Sequence, residues 1–156
     1  RRQRERCMID GSKTGAKLGP REMWQDRIEA VKAGGIEALS DSILERWFAP
    51  AFRETPEFTA WRNMLIRQPK EGYIGCSAAI AGTDFITPTS GLRLPTLAIA
   101  GSEDGSTPPD LVAETAALIP GSRFEIIRRA GHLPCVEQPE AYAALLTTFL
   151  SKIGHI

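Results

Sequence analysis

Apolar residues along this chain change their spacing twice, and each change marks a change of structure. "RCMIDGS" (Arg6–Ser12) groups its apolar residues and ends in turn formers, the pattern of a short buried strand. The Gly/Lys-rich "KTGAKLGP" after it reads as a loop. From Arg21 the spacing turns helical: Trp24, Ile28 and Val31 recur at four and three, and Gly34-Gly35 stop the segment. Ile36, Leu39, Ile43 and Trp47 predict a second helix, which "FAPAF" breaks. Thr55-Pro56-Glu57 offers an N-cap, a first-turn proline and an early acid, so a third helix follows with Phe58, Trp61 and Leu65 on its apolar face. A fourth, starting near Glu71, carries Tyr73, Cys76 and Ile80 and ends near Gly82.

Beyond "TDFITPTSGLRLP" the grammar changes. "PTLAIAG" (Pro95–Gly101) is a continuous apolar run bounded by proline and glycine, which suits a strand covered on both faces. Pro109–Pro120 is helical, with Leu111, Val112, Thr115, Leu118 and Ile119 on one side. "SRFEIIRR" predicts a strand again. Pro139–Ile153 is the clearest helix, its stripe made of Tyr142, Leu145, Leu146, Phe149, Leu150 and Ile153. Strand–helix–strand–helix order predicts a parallel sheet and an α/β architecture. Three segments follow: 1–20, a strand and loop of the core; 21–82, a helical insert holding all three tryptophans; and 83–156, the rest of the core.

Composition narrows the picture little. The 156 residues suffice for one domain with a core, and Lys+Arg and Asp+Glu both number 19, so no charge excess calls for nucleic acid. The opening "RRQRERC" is either a basic arm or a solvated lead-in, and no aromatic or glycine-rich partner follows to favour the arm. No apolar run reaches the roughly 20 residues of a membrane span, and no signal-peptide core is present. Cys7, Cys76 and Cys135 are far apart and not at metal spacing, which suits reduced thiols and a cytoplasmic setting.

Chemistry enters at two strand ends. In an open parallel sheet, reactive side chains gather at the carboxyl ends of strands. "AGSEDGSTPP" places Glu103 and Asp104 just past one strand, and "RAGHLPCVE" places His132 just past the next. Neighbouring strands lie about 4.8 Å apart, so side chains in these loops come within hydrogen-bond range. A carboxylate that fixes an imidazole's tautomer and steadies its conjugate acid is the base–orienter pair of nucleophilic catalysis. Alone, His132 would be a capped loop histidine and Asp104 a turn residue. Their occurrence at matched strand ends favours the pair. His155, in the tail, has no such context.

These residues carry a resemblance. "LPTLAIAGSEDGSTPP" followed by "IPGSRFEIIRRAGHLPCVEQPEAY" resembles the C-terminal third of an α/β-hydrolase, with its Asp after one late strand and its "GH" histidine after the last. The resemblance implies that Asp104 is the acid and His132 the base of a Ser-His-Asp triad. Within that family, "DGSKTGAKLGPREMWQDRIEAVKAGGIEALSDSILERWF" and "KEGYIGCSAAIAGTDF" resemble the strand exit and helical cap of 3-oxoadipate enol-lactonases. The implied activity is hydrolysis of an enol-lactone or carboxylic ester in aromatic catabolism, by the β-ketoadipate route, with no cofactor and no metal. The implied substrate is small, flat and anionic. Trp24, at the cap entrance, is the candidate for packing on it, and Arg62 the candidate for its carboxylate. The other reading makes the tryptophans cap core and Arg62 a solvated charge.

One part of the family pattern is missing. Its nucleophile sits on a G-x-S-x-G elbow, and this sequence has none. The nearest text, "GCSAA" (Gly75–Ala79), ends in alanine and lies within a helical pattern, so Ser77 reads as a helix serine. The oxyanion-hole segment and first strands are absent as well. The expectation is the C-terminal half of a hydrolase, inactive alone, which pairs with a complementary N-terminal half or self-associates to cover its half sheet. Two alternatives stay open: another capped hydrolase, such as an esterase or a cofactor-free haloperoxidase, and a non-catalytic module that kept the fold.

Overall fold

A computed structural model describes residues 19–156; the strand expected over Arg6–Ser12 lies outside the described residues. The chain first lays down helices: α1 (Arg21–Gly34), a 3-10 turn (Ile36–Leu39), α2 (Ser40–Trp47), α3 (Pro50–Arg53), α4 (Glu57–Ile66), α5 (Lys70–Ala81) and α6 (Ile86–Ser90). Then β1 (Leu97–Gly101), α7 (Pro109–Ala117), β2 (Arg123–Ile127), α8 (Pro134–Glu137) and α9 (Pro139–Lys152) complete it.

Helix α1 buries Trp24, Ile28 and Val31, the residues its spacing singles out, and packs them towards α5. It stops at Gly35, whose φ of 70° lies in the left-handed region that favours glycine. The expected second helix is divided. Ile36–Leu39 winds as a 3-10 turn before the α-helix begins at Ser40, whose hydroxyl donates to the Glu37 carbonyl (2.9 Å) and tightens that turn. The residues expected to break the helix hold one turn of their own, opened by Pro50. Thr55 is not the N-cap of α4. Its hydroxyl donates backwards to the Phe52 carbonyl (2.7 Å), which finishes the preceding turn instead of starting the next.

The main apolar cluster lies in this helical part. Val31, Ile36, Ile43, Leu44, Phe48 and Leu65 are buried together, and Phe48 stacks on Phe52 at 5.0 Å and meets Phe58 edge-on at 5.8 Å. Trp47 and Trp61 pack against it, as do Leu133 and Val136 from beyond β2.

Strands β1 and β2 pair in parallel, Leu97 opposite Arg123 through Gly101 opposite Ile127, with α7 as the crossover. Among the described residues the two-sided cover expected for β1 is incomplete. Only Ala100 and Gly101 are buried, because β2 is its one strand neighbour among the described residues. Helix α9 buries none of its residues, and Leu146 and Ile126 stand exposed. Among the described residues no helix is long and apolar enough to cross a membrane.

Candidate active site

The carboxyl ends of β1 and β2 are locked together beyond the ladder: Ser102 N–H donates to the Ile127 carbonyl (2.9 Å), and Glu103 N–H to the Ala130 carbonyl (2.8 Å). Asp104 therefore starts its loop alongside the residues that lead into His132. Its side chain is almost wholly buried, at 4% exposure against 16% for His132. One carboxylate oxygen, Oδ1, accepts the N–H groups of Ser106 (2.7 Å) and Thr107 (2.9 Å). The other, Oδ2, accepts the Thr107 hydroxyl at 3.0 Å and lies 2.9 Å from His132 Nδ1.

Burial alone would raise the Asp104 pKa. The bond and charge of His132, with the N–H groups of Thr107 and Ser106, outweigh it and hold the carboxyl below its ordinary value. An ionised carboxylate only accepts, so Nδ1 carries the proton and donates, and Nε2 is the basic nitrogen of the neutral ring. This is an oriented imidazole.

The histidine loop is tightly held. Arg129 adopts φ 59°, unusual for a residue with a side chain, and two bonds keep it there: its N–H donates to Ser102 Oγ (2.9 Å) and its carbonyl accepts from Gln138 Nε2 (3.2 Å). The next residues lie flush against the end of α2. His132 N–H donates to the Trp47 carbonyl at 2.7 Å, and Gly105 N–H to the Arg46 carbonyl at 3.0 Å. A methyl group on Gly131 would overlap the Trp47 carbonyl, so only glycine permits this approach. Glu137, at the end of α8, reaches back: Oε1 accepts the Gly131 N–H (2.7 Å) and Oε2 the Ala49 N–H (2.8 Å). Burial pushes the Glu137 carboxyl above its usual range. The two N–H groups offset this only in part, and the charges of Glu103 and Asp104 add to it.

A cavity of about 480 Å³ opens in front of His132. Trp24, Arg27, Arg46 and Tyr73 line it from the helices, and Thr107 and His132 from the strand ends. Among the described residues no carboxylate lines it. Arg27 stacks its guanidinium over the Trp24 ring, 5.4 Å from its centre, and donates to the Tyr73 hydroxyl at 3.0 Å. Among the described residues, the buried Trp24 indole N–H and Arg27 Nε find no hydrogen-bond partner. Burial, and then the nearby Arg27 charge, push the Arg46 guanidinium below the ordinary arginine value.

Among the residues singled out from sequence, Asp104, His132 and Trp24 thus converge on one place. Arg62 does not. It faces Glu37 (3.5 Å) and Asp41 (3.8 Å) on the outer side of the helices and does not line the cavity. The cations that do, Arg27 and Arg46, were not legible as site residues, because each reads as one more solvated helix charge. The one available signal was that Arg27 follows Trp24 by three, which puts both on the same helix face. Ser77 lines the cavity too, from the middle of α5 and not from a strand-to-helix turn. Among the described residues no group of three or more His, Cys, Asp or Glu could hold a metal ion.

No family model matches the chain. It is 34% identical over 134 residues to 3-oxoadipate enol-lactonase 2 of Acinetobacter baylyi, an alignment that covers 83% of this chain and 49% of that enzyme. Among solved structures, the enol-lactonase of Burkholderia xenovorans LB400 superimposes with a TM-score of 0.80 at 30% identity, over 85% of this chain and 52% of that one. A malate-bound thermophilic esterase from Thermogutta terrifontis does so with 0.78, also at 30% identity, over 85% and 50%. The chain spans about half the length of the enol-lactonase relatives it matches.

Proposed function

Starting from the C-terminal part of an α/β-hydrolase fold, which this chain has, we propose that it supplies the acid and base of a hydrolase acting on carboxylic esters or lactones. The observation that carries the reading is the 2.9 Å contact between Asp104 and His132 at the ends of two parallel strands, beside a cavity. In the assembled enzyme a serine outside this sequence attacks the acyl carbon. Its proton passes to His132 Nε2, which gives it to the departing oxygen. Nε2 then takes a proton from the water that attacks the acyl-serine and returns it to the serine oxygen as the acid leaves. Asp104 keeps Nδ1 protonated and the ring aimed throughout. No cofactor and no metal enter the scheme.

Residues 21–82 serve as the cap that closes over the substrate. A small anionic substrate suits the cavity, since Arg27 and Arg46 offer positive charge, and among the described residues Trp24 offers an unpaired donor and no acid lines the wall. That the related Thermogutta esterase carries malate, a dicarboxylate, supports the same chemistry. An enol-lactone with a free carboxylate is the substrate that fits best. The half-covered stripe of α9 and the β1–β2 sheet, incompletely covered among the described residues, take a complementary N-terminal hydrolase half.

The test mixes the chain with the N-terminal half of the matched Acinetobacter enzyme and follows hydrolysis of p-nitrophenyl butyrate and of the enol-lactone. Turnover should require both halves. A complex that forms, seen by gel filtration, but hydrolyses neither compound sinks the reading.

A further inference from the structure

The geometry points to Glu137 as a positioning residue: its carboxylate fastens the His132 loop to the end of α2, so that the base and the helical segment over the cavity are set by one side chain. The inference deepens the hydrolase reading, because the geometry it concerns is that of the proposed base.

Two N–H groups meet on this carboxylate, and they come from distant parts of the chain. Gly131 immediately precedes His132, and its N–H reaches Oε1 at 2.7 Å. Ala49 lies 88 residues before Glu137, and its N–H reaches Oε2 at 2.8 Å. Neither donor is in a helix or strand that could satisfy it otherwise, and both residues are buried. Between the two anchor points runs the His132 N–H bond to the Trp47 carbonyl. The three bonds close a bracket around the residues that present the imidazole. With one donor at each oxygen position, the side chain must present an acceptor, and no donor, at both.

The anionic form is not there for stability alone. Burial opposes it, and the charges of Glu103 and Asp104 oppose it as well. A glutamate kept in such a place is best explained by what it holds.

The measurement uses the full 156-residue chain, labelled with ¹⁵N. Two readouts are hydrogen exchange at Ala49 and Gly131 and the ring nitrogen and Nδ1 proton signals of His132. In Glu137→Gln the side chain presents one acceptor and one NH₂, so one donor is left facing another. Exchange at Ala49 or Gly131 should then speed up at least tenfold, and the His132 Nδ1 proton signal should broaden or shift, while His155 stays as it was. Glu140→Gln, an exposed glutamate one turn along, is the control and should change neither. Should Glu137→Gln unfold, Glu137→Asp decides by the same readouts, since it keeps the charge but is one methylene too short to reach both donors.

Exchange within twofold of the parent at both amides, with an unchanged imidazole signal, overturns the proposal whatever the hydrolysis assay gives. If the signatures appear but the assembled halves hydrolyse nothing, the bracket stands and the hydrolase reading falls. Where the assembled enzyme is active, Glu137→Gln should lower kcat at least tenfold with KM nearly unchanged, as expected for a residue that aims the base without touching substrate.

Discussion

Trp47 and His132 are joined twice: the histidine N–H donates to the tryptophan carbonyl at 2.7 Å, and the two rings stand 6.2 Å apart, tilted by 32°. The last residue of α2 therefore supports the imidazole through backbone and ring together. This closeness depends on Gly131. A Gly131→Ala chain should lose about 1–3 kcal/mol of stability, the usual cost of forcing a methyl group into a packed contact. A urea denaturation midpoint matching the parent's would show that the α2 end gives way easily and that the contact is incidental.

Asp104 holds His132 through one oxygen and its own loop through the other, so its loss should act twice. Asp104→Asn should cost roughly 2–3 kcal/mol of stability by removing charge-assisted bonds. In the assembled enzyme it should lower kcat by about four orders of magnitude, because the ring loses the partner that fixes its tautomer. His132→Ala should lose a similar part of kcat while KM changes little, and His155→Ala should lose none, being an exposed tail residue. Steady-state kinetics on the three variants, each joined to the same N-terminal half, checks this. Equal losses in His132→Ala and His155→Ala would return His132 to an ordinary loop residue.

Acid stability should carry two opposing contributions. The folded pKa of Asp104 is depressed below the 3.8 of a free side chain, so its contribution is present above that value and fades as pH falls through the folded pKa. Glu137 is shifted upwards from 4.5, so its contribution is full below that value and fades as pH rises through the folded pKa. Unfolding free energies measured from about pH 3 to about pH 7 should therefore lose their acid slope in Asp104→Asn. In Glu137→Gln they should lose the decline above about pH 4.5, the ordinary value. Slopes of the reverse sign would mean that the two carboxyls are held differently from the geometry described here.

Arg27 and Arg46 should discriminate by charge. Replacing either with Met ought to raise KM for a carboxylate-bearing ester by about 10–100-fold, the loss of one charge-assisted contact of about 1.5–3 kcal/mol. A neutral ester of the same size should be unaffected. Equal effects on both esters would make these arginines part of the cap's packing, and Arg62→Met, outside the cavity, should affect neither.

Regular spacing made much of this fold legible. The α1 stripe, the β1–α7–β2 order and α9 all follow from periodicity, and the meeting of Asp104 and His132 follows from where two parallel strands end. What escaped depends on contacts between residues far apart in the chain. Thr55 has the residue type of an N-cap, yet the carbonyl of Phe52 three residues back takes its hydroxyl. Glu137 looks like an ordinary helix acid until the fold brings Ala49 to it. Arg62 and Arg27 are both helix arginines, yet Arg27 turns inwards where α1 packs on α5, whereas Arg62, on α4, faces Glu37 and Asp41. Short one-turn helices such as α3, α6 and α8 offer too few residues for any period to register.

The half-covered stripe of α9 has a calorimetric consequence. Unfolding a chain of this length ordinarily raises the heat capacity by about 2 kcal/mol/K, mostly because apolar surface becomes hydrated. Here Leu146 and Ile126 are already wet in the folded state, and Tyr142, Leu145, Phe149 and Leu150 of α9 are only half-buried, so part of that increment is absent. The stability curve of the chain should be correspondingly flat, with weak dependence on temperature on either side of its maximum. Its curvature should sharpen once a second polypeptide covers the helix.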